Sequence, residues 1–347
     1  MLDDANVIKQ RDPQDYLGFA AKQPEQLKHT FGITEAHFPK EIDDVVFAGM
    51  GGSSLVAELV RTWPELDEPF VIVKDYKLPA FVDENTLVIC ASYSGNTEET
   101  LECLAQARAK KAQIAIIAHG GKLGEIAKSE GLVYAELPEC PQPRAGVFYA
   151  YRAVIEILLA VKLVPNSDVA ELEALVAPLE QAIAGWTADV PEERNLAKQV
   201  AQKMVGKTPI IYSGPLMYGA AFKWKIDVNE NAKNTAWCGQ IPEFNHNEFI
   251  GWSSHPVEKP FAVINLLSSF EHPRVQKRFE LSDRLLSGMR PASINIEAKG
   301  SSPLEHQLYL VLLGDFATTY MGLLNGVNPT PVELVEKFKK ELGPHEM

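Results

Sequence analysis

Apolar and polar positions along the 347 residues alternate between short continuous apolar runs and longer stretches with helical spacing. The runs Asp44–Ala48, Pro69–Val73, Leu87–Ala91, Gln113–Ala118 and Leu132–Leu137 are rich in β-branched residues and apolar on successive positions, as strands covered on both faces of a parallel sheet are. Between them lie helical patterns: Leu55 to about Trp63, Glu98–Lys110 with Leu101, Leu104 and Ala105 on one side, and Gly124–Ser129. Residues 1–40 are mostly polar, with one lead-in helix predicted around Pro24 to Phe31, and a long helix is predicted from Val147 to about Val161. Residues 162–195, rich in Glu, Ala and Leu and punctuated by Pro165, Pro178 and Pro191, read as bridging helices. A second series follows: strands at Thr208–Tyr212, Phe261–Leu267 and Ser293–Glu297, with helices at Met217–Asn231, Leu304–Leu324 and Pro331–Leu342. Strands alternating with helices at this pace predict an α/β fold, doubly wound with parallel sheets. The expected organisation is a domain at 1–160, a helical linker at 161–195 and a related domain at 196–347.

In such sheets ligands gather at the carboxyl ends of the strands, and two turns there are unusual. The first is Gly49-Met50-Gly51-Gly52-Ser53-Ser54, where glycines allow close backbone approach to a ligand. It matches neither the dinucleotide fingerprint nor a phosphate loop with its Gly-Lys-Ser/Thr ending. A tight turn needing positive φ is the plain alternative. The second is Ala91-Ser92-Tyr93-Ser94-Gly95-Asn96-Thr97, which leads into a helix. Helix N-termini offer unpaired N–H groups and a positive dipole end, and hydroxyls add donors without charge, a setting for a phosphate monoester. Here the alternative is an ordinary N-cap at Asn96 or Thr97 with serines filling the turn.

Arg144 ends a proline-rich stretch, Pro138–Pro143, just before a helix, where a cation is locally unfavourable. Either an anion holds it there or it is a solvated surface arginine. Two further stretches, Val228–Lys233 and Pro242–Glu248, place Glu230 and His246 on polar segments, a combination suited to proton transfer. For Glu230 the structural alternative is a helix-end salt bridge to Lys233, and for His246 surface hydrogen bonding. A metal held by His246, Glu248 and His255 finds no supporting ligand spacing.

Composition narrows these readings. The net charge of −13 with no basic cluster argues against nucleic acid, so an anionic substrate must be met by a few focused positive groups. Cys90, Cys103, Cys140 and Cys238 are far apart, with neither zinc spacing nor a disulfide framework. Residues 1–30 show no signal-peptide core, and no run approaches the roughly 20 apolar residues of a membrane span. A cytoplasmic protein without membrane association is expected.

Taken together, Gly49–Ser53, Ser92-x-Ser94-Gly95-Asn96-Thr97, Pro143-Arg144-Ala145, Asn229–Lys233, Asn245–Glu248 and Asn328–Pro331 resemble the bifunctional phosphoglucose/phosphomannose isomerases of the sugar isomerase (SIS) superfamily, in order and over essentially the whole chain. The resemblance implies two SIS-type subdomains and interconversion of fructose 6-phosphate with glucose 6-phosphate and mannose 6-phosphate. Ring opening and a cis-enediolate intermediate are implied, without cofactor or metal. It implies that Ser92, Ser94 and Thr97 hold the phosphate and that Gly52 and Ser53 line the sugar side. Glu230 is implied as the base between C1 and C2, and Arg144 as the support of the enediolate. His246, supplied across a homodimer, and Lys339 are implied in ring opening. Lys337 is the fallback for Lys339, since both lie in one helix. Where relatives carry a threonine linked to tolerance of both epimers this chain has Val332, with Thr330 two positions earlier. Two other classes compete: another SIS-type sugar-phosphate isomerase, and a non-catalytic sugar-phosphate sensor. A sensor of this kind usually carries a basic DNA-binding segment, and the lead of this chain shows none.

Overall fold

A computed structural model describes residues 1–343. The chain opens with two short helices, α1 (Ala5–Arg11) and α2 (Tyr16–Ala21). A first sheet follows with its helices: β1 (Asp44–Gly49), α3 (Gly51–Val60), β2 (Phe70–Val73), β3 (Thr86–Ala91), α4 (Glu98–Ala109), β4 (Gln113–Ala118), α5 (Gly121–Glu130), β5 (Val133–Glu136), α6 (Val147–Ala160) and α7 (Asn166–Ala174). Then come α8 (Val176–Ile183), α9 (Leu196–Met204), β6 (Thr208–Ser213), α10 (Tyr218–Asn231), β7 (Trp237–Gln240), α11 (Glu248–Gly251), β8 (Phe261–Leu267), α12 (Pro273–Leu285), β9 (Ile294–Glu297), α13 (Pro303–Leu324) and α14 (Glu333–Leu342).

By contacts the chain forms two units: Gln23–Val176 with the tail from Val332, and Met1–Lys22 with Ala177–Pro331. Both are α/β with all-parallel sheets, of order β2-β1-β3-β4-β5 and β7-β6-β8-β9. The units do not follow chain order as the expected 1–160, 161–195 and 196–347 division does. The stretch 161–195 is shared, α7 falling in one unit and most of α8 in the other. The lead joins the second sheet's unit for a physical reason. Lys198, fully buried on α9, directs its ammonium to Asp3 Oδ1 at 3.0 Å and to the carbonyls of Ala188 and Val190. Arg11 reaches the Leu323 carbonyl.

In the first sheet β1 and β3 are apolar and buried apart from the half-buried Asp44 and the buried but polar Thr86, because helices cover both faces. α4 presents Leu101, Cys103, Leu104 and Ala107 to that sheet, so Leu101 and Leu104 lie where their spacing predicts, while Ala105, expected beside them, is exposed. In the other unit α13 is the central core helix. It is long and apolar enough to cross a membrane by length and composition, contrary to the expectation that no run approaches a span, but 94% of its apolar window is buried inside the protein. α10 packs along it.

Several elements were not legible. The lead-in segment is a 3₁₀ stretch at Gln23–Lys28 rather than a helix over Pro24–Phe31, preceded by two helices that the polar composition hides. β7 is a four-residue edge strand with a glycine and an exposed Trp237, too short to show alternation. α12 buries only Val275, Phe279 and Ser282 among many charges.

Candidate active site

The order of the first sheet reverses between β1 and β3, the switch point where open α/β sheets bind ligands. Both predicted turns emerge there. After β1 the chain enters α3 through Gly51, at φ +53°, a left-handed backbone that glycine adopts readily. Gly52 lies against the arginine segment: a Cβ there would stand 3.2 Å from Arg144 N. The positive φ at Gly51 bears out the tight-turn reading, and the close approach at Gly52 is to the chain's own Pro143 and Arg144.

After β3 the serine turn closes on itself. Ser92 Oγ is 2.7 Å from Thr97 Oγ1 and 3.4 Å from Ser94 Oγ, so the three hydroxyls form one cluster. Thr97 stands at the N-cap of α4, yet its side chain makes no capping bond. Of the ordinary N-cap reading the capping bond is therefore missing, while Ser94 Oγ does fill the turn by accepting from Asn96 N at 3.3 Å. Ser92 is buried, Ser94 exposed and Thr97 half-buried, a gradient from sheet to solvent. Gly95 has φ +68° and passes so close to Gly120 that a Cβ would meet its carbonyl oxygen at 1.8 Å, so only glycine fits. The result is a hydroxyl cluster at the start of a 12-residue helix, a setting that favours an anion without a fixed cation.

Arg144 sits in a 3₁₀ turn, Pro143–Gly146, leading into α6, and only 1% of it is exposed. The solvated surface arginine is thus excluded. A buried guanidinium needs compensating partners, and Arg144 is not without them. Ser92, Ser94, Thr97, Gly52, Ser53 and Arg144 all belong to one unit, and Gly52, Ser53 and Ser92 line one small cavity with Pro143.

Glu230 and His246 belong to the other unit. Glu230 is half-buried on the last turn of α10. Its helix is locked to α13 at several levels: Trp224 Nε1 donates to the Leu310 carbonyl at 2.7 Å, and Asn231 Nδ2 donates to Thr318 Oγ1 at 3.0 Å. Between these, Lys223 bridges Asp227 and Asp315 at 2.6 Å each, all three fully buried. The two carboxylates hold the Lys223 ammonium in its charged form despite desolvation. Lys233, left-handed at φ +52°, closes the helix end by donating to the carbonyls of Glu230 and Pro329. The lysine named as a salt-bridge partner therefore caps the Glu230 backbone.

His246 is exposed at the end of a 3₁₀ turn, Glu243–His246, while its neighbours are fastened. Phe244 packs on Tyr212 with ring centroids 4.7 Å apart, and the Arg290 guanidinium lies 5.6–6.0 Å from Tyr212, Phe244 and Trp252. Asn245 Nδ2 donates to Ser282 Oγ, and the Tyr212 hydroxyl donates to Glu248. His246 thus projects from a braced pedestal. Among the described residues no three His, Cys, Asp or Glu side chains are grouped to hold a metal ion. Lys339 and Lys337 both lie on α14, exposed, paired with Glu336 at 2.9 Å and Glu341 at 3.7 Å. These surface pairs contribute little and leave the register open. Thr330 is buried and its N–H donates to Asn328 Oδ1.

Sequence reasoning missed two residues. Tyr93, the unassigned position between the serines, is bonded on every polar atom. Glu271 fills the turn after β6: its Oε1 accepts from Leu216 N at 2.9 Å and Met217 N at 3.3 Å, and burial pushes the carboxyl up to about 7. A glycine-serine turn was visible at Ser213-Gly214, but nothing in the local sequence points to a partner more than fifty positions on.

Residues 40–142 match the SIS domain family, and residues 193–342 match the bacterial phospho-glucose isomerase C-terminal SIS domain. A bifunctional phosphoglucose/phosphomannose isomerase from Aquifex aeolicus is 34% identical over 87% of this chain and 91% of its own. The chain belongs to the bifunctional phosphoglucose/phosphomannose isomerase family. A second member, from Caldicellulosiruptor bescii, is 35% identical over 92% of this chain and 96% of its own. The fold is shared with a glucose-6-phosphate isomerase like protein from Thermus thermophilus, at a TM-score of 0.66, 18% identity and 98% coverage of both chains. The two SIS-type units read from the sequence agree with these matches.

Proposed function

We propose that this protein interconverts fructose 6-phosphate with glucose 6-phosphate and mannose 6-phosphate. The observation that carries the reading is the cluster of Ser92, Ser94 and Thr97 hydroxyls at the N-terminus of α4, at the switch point of the first sheet, in a chain of this family. The cluster supplies neutral donors and a helix dipole to a phosphate dianion, which explains how a protein of net charge −13 takes such a ligand.

The residue types fit the chemistry. A closed hexose must first open, which takes an acid and a base near O5 and O1; His246 and Lys339 fill these roles. Glu230 takes the proton from C2 and returns it to C1, and Arg144 stabilises the enediolate charge that develops between these steps. Gly52 and Ser53 line the sugar. Mannose 6-phosphate differs only at C2, so rotation about C2–C3 presents either epimer to Glu230. The protein works as a homodimer in which His246 serves the partner's substrate, in keeping with its exposed, braced presentation. It acts in the cytoplasm, in glycolysis and gluconeogenesis.

The test is turnover of fructose 6-phosphate by purified protein, reading both aldose phosphates separately, with and without EDTA. Formation of both, unaffected by EDTA, is expected. Absence of either product overturns the dual activity; tight binding without turnover favours the sensor.

A further inference from the structure

The side chain between the two phosphate-turn serines carries an inference beyond these roles. Tyr93 joins three separate segments of the first sheet's unit. Its N–H donates to Ser53 Oγ of the glycine turn at 2.9 Å. Its carbonyl accepts from His119 N at 2.9 Å, and its ring stacks on the His119 imidazole at 5.3 Å, nearly parallel. Its hydroxyl accepts from Cys140 N at 2.6 Å and donates to the Cys140 carbonyl at 3.2 Å. Cys140 lies four residues before Arg144, in the proline-rich stretch that carries the arginine out of β5 toward α6. The same stretch meets the glycine turn directly, since Pro143 Cβ would stand 3.3 Å from a Cβ at Gly52.

We propose that Tyr93 is a positioning residue for the isomerisation, a latch that fixes the Arg144 segment at one height against the phosphate turn. The proposal rests on the reading of Arg144 as the support of the enediolate. The physical logic is that a stretch of Pro138, Pro141 and Pro143 has few N–H groups with which to tie itself to the sheet. The hydroxyl of a residue inside the serine turn supplies both a donor and an acceptor to Cys140, in the middle of that stretch. Phosphate anchor and charge-stabilising group are thereby held in a fixed relation, and electrostatic stabilisation of a transition state depends on such prior alignment.

The test is Tyr93→Phe, which keeps the ring, the stack on His119 and the backbone bonds, and deletes only the oxygen held by Cys140. Two inhibitors separate anchoring from catalysis. Sorbitol 6-phosphate carries the phosphate without an enediolate, and the hydroxamate of a five-carbon sugar acid 5-phosphate carries an ionisable mimic of the enediolate. The expected result is a fall in kcat of about tenfold, with KM for fructose 6-phosphate and Ki for sorbitol 6-phosphate within about twofold. Ki for the hydroxamate should rise by the same factor as kcat falls, because a transition-state mimic tracks the lost stabilisation. A merely structural tyrosine would instead lower Tm and weaken both inhibitors alike, and that outcome overturns the proposal, as does an unchanged kcat. Arg144→Lys is run beside it. If that variant binds the hydroxamate as tightly as the wild type, the reading of Arg144 fails; if it weakens hydroxamate binding while Tyr93→Phe does not, only the latch fails.

Discussion

The two units share one strand order around their switch points, β2-β1-β3-β4 and β7-β6-β8-β9, and furnish the turns there differently. In the first sheet the switch point lies between β1 and β3, and the turn after β3 presents three clustered hydroxyls. In the second sheet the order reverses between β6 and β8, and the loop after β8 supplies Glu271, whose carboxylate sits in the turn after β6. Gly214 makes room for it: a Cβ there would meet the Glu271 carboxylate carbon at 2.3 Å. The amides after β6 are thus taken by the Glu271 carboxyl, whereas the proposed function gives the hydroxyls after β3 to a phosphate. The loop after β8, which stands where the serine turn stands in the first sheet, thus reaches back to the turn after β6. In this chain the unit with the Glu271 turn carries Glu230 and His246, and the unit with the serine turn carries Ser92, Ser94, Thr97 and Arg144.

The largest expected effect breaks the proton-transfer side of this comparison. Glu230→Gln should lower kcat by about a thousandfold or more, while a non-reacting sugar phosphate binds nearly as before. A rate retained within about tenfold removes Glu230 as the base. Next comes the phosphate side. Ser94→Ala combined with Thr97→Ala should raise KM by about ten- to a hundredfold with kcat little changed, because phosphate contacts act mainly as uniform binding. A fall in kcat alone would contradict the assignment.

The Glu271 turn makes a smaller, pH-dependent prediction. Burial pushes Glu271 up to about 7 from an ordinary 4.5. A carboxyl whose folded pKa is raised contributes its stability below the unfolded value and loses it as pH rises through the folded one. Wild type should thus lose about 1–3 kcal/mol relative to Glu271→Gln between pH 4.5 and 7.5. Parallel denaturation curves for the two proteins across that window would show that the carboxylate is not strained by burial. The smallest effect concerns register on α14. Lys339→Met should cost several-fold in turnover of cyclic substrate and Lys337→Met almost nothing; the reverse result moves the role to Lys337.

Much of this was legible in the sequence because the informative features are local. Short apolar runs marked eight of the nine strands among the described residues, and the glycine and serine turns stood out because glycine and clustered hydroxyls have few other uses at a strand end. What was hidden depends on distant partners. Arg144 looks the same in sequence whether solvated or buried, and only tertiary packing decides. Tyr93 stood in plain view, but its value lies in Cys140, 47 positions away. Glu271 is one of 46 acidic residues, distinguished only by the amides it meets.

The comparison comes down to how many phosphates one chain can hold. Calorimetric titration with sorbitol 6-phosphate counts them directly. One equivalent per chain, abolished or strongly weakened by Ser94→Ala with Thr97→Ala, is the expected result. Two equivalents, or one that survives that double substitution, would contradict the account, because phosphate would then be held somewhere other than the serine turn.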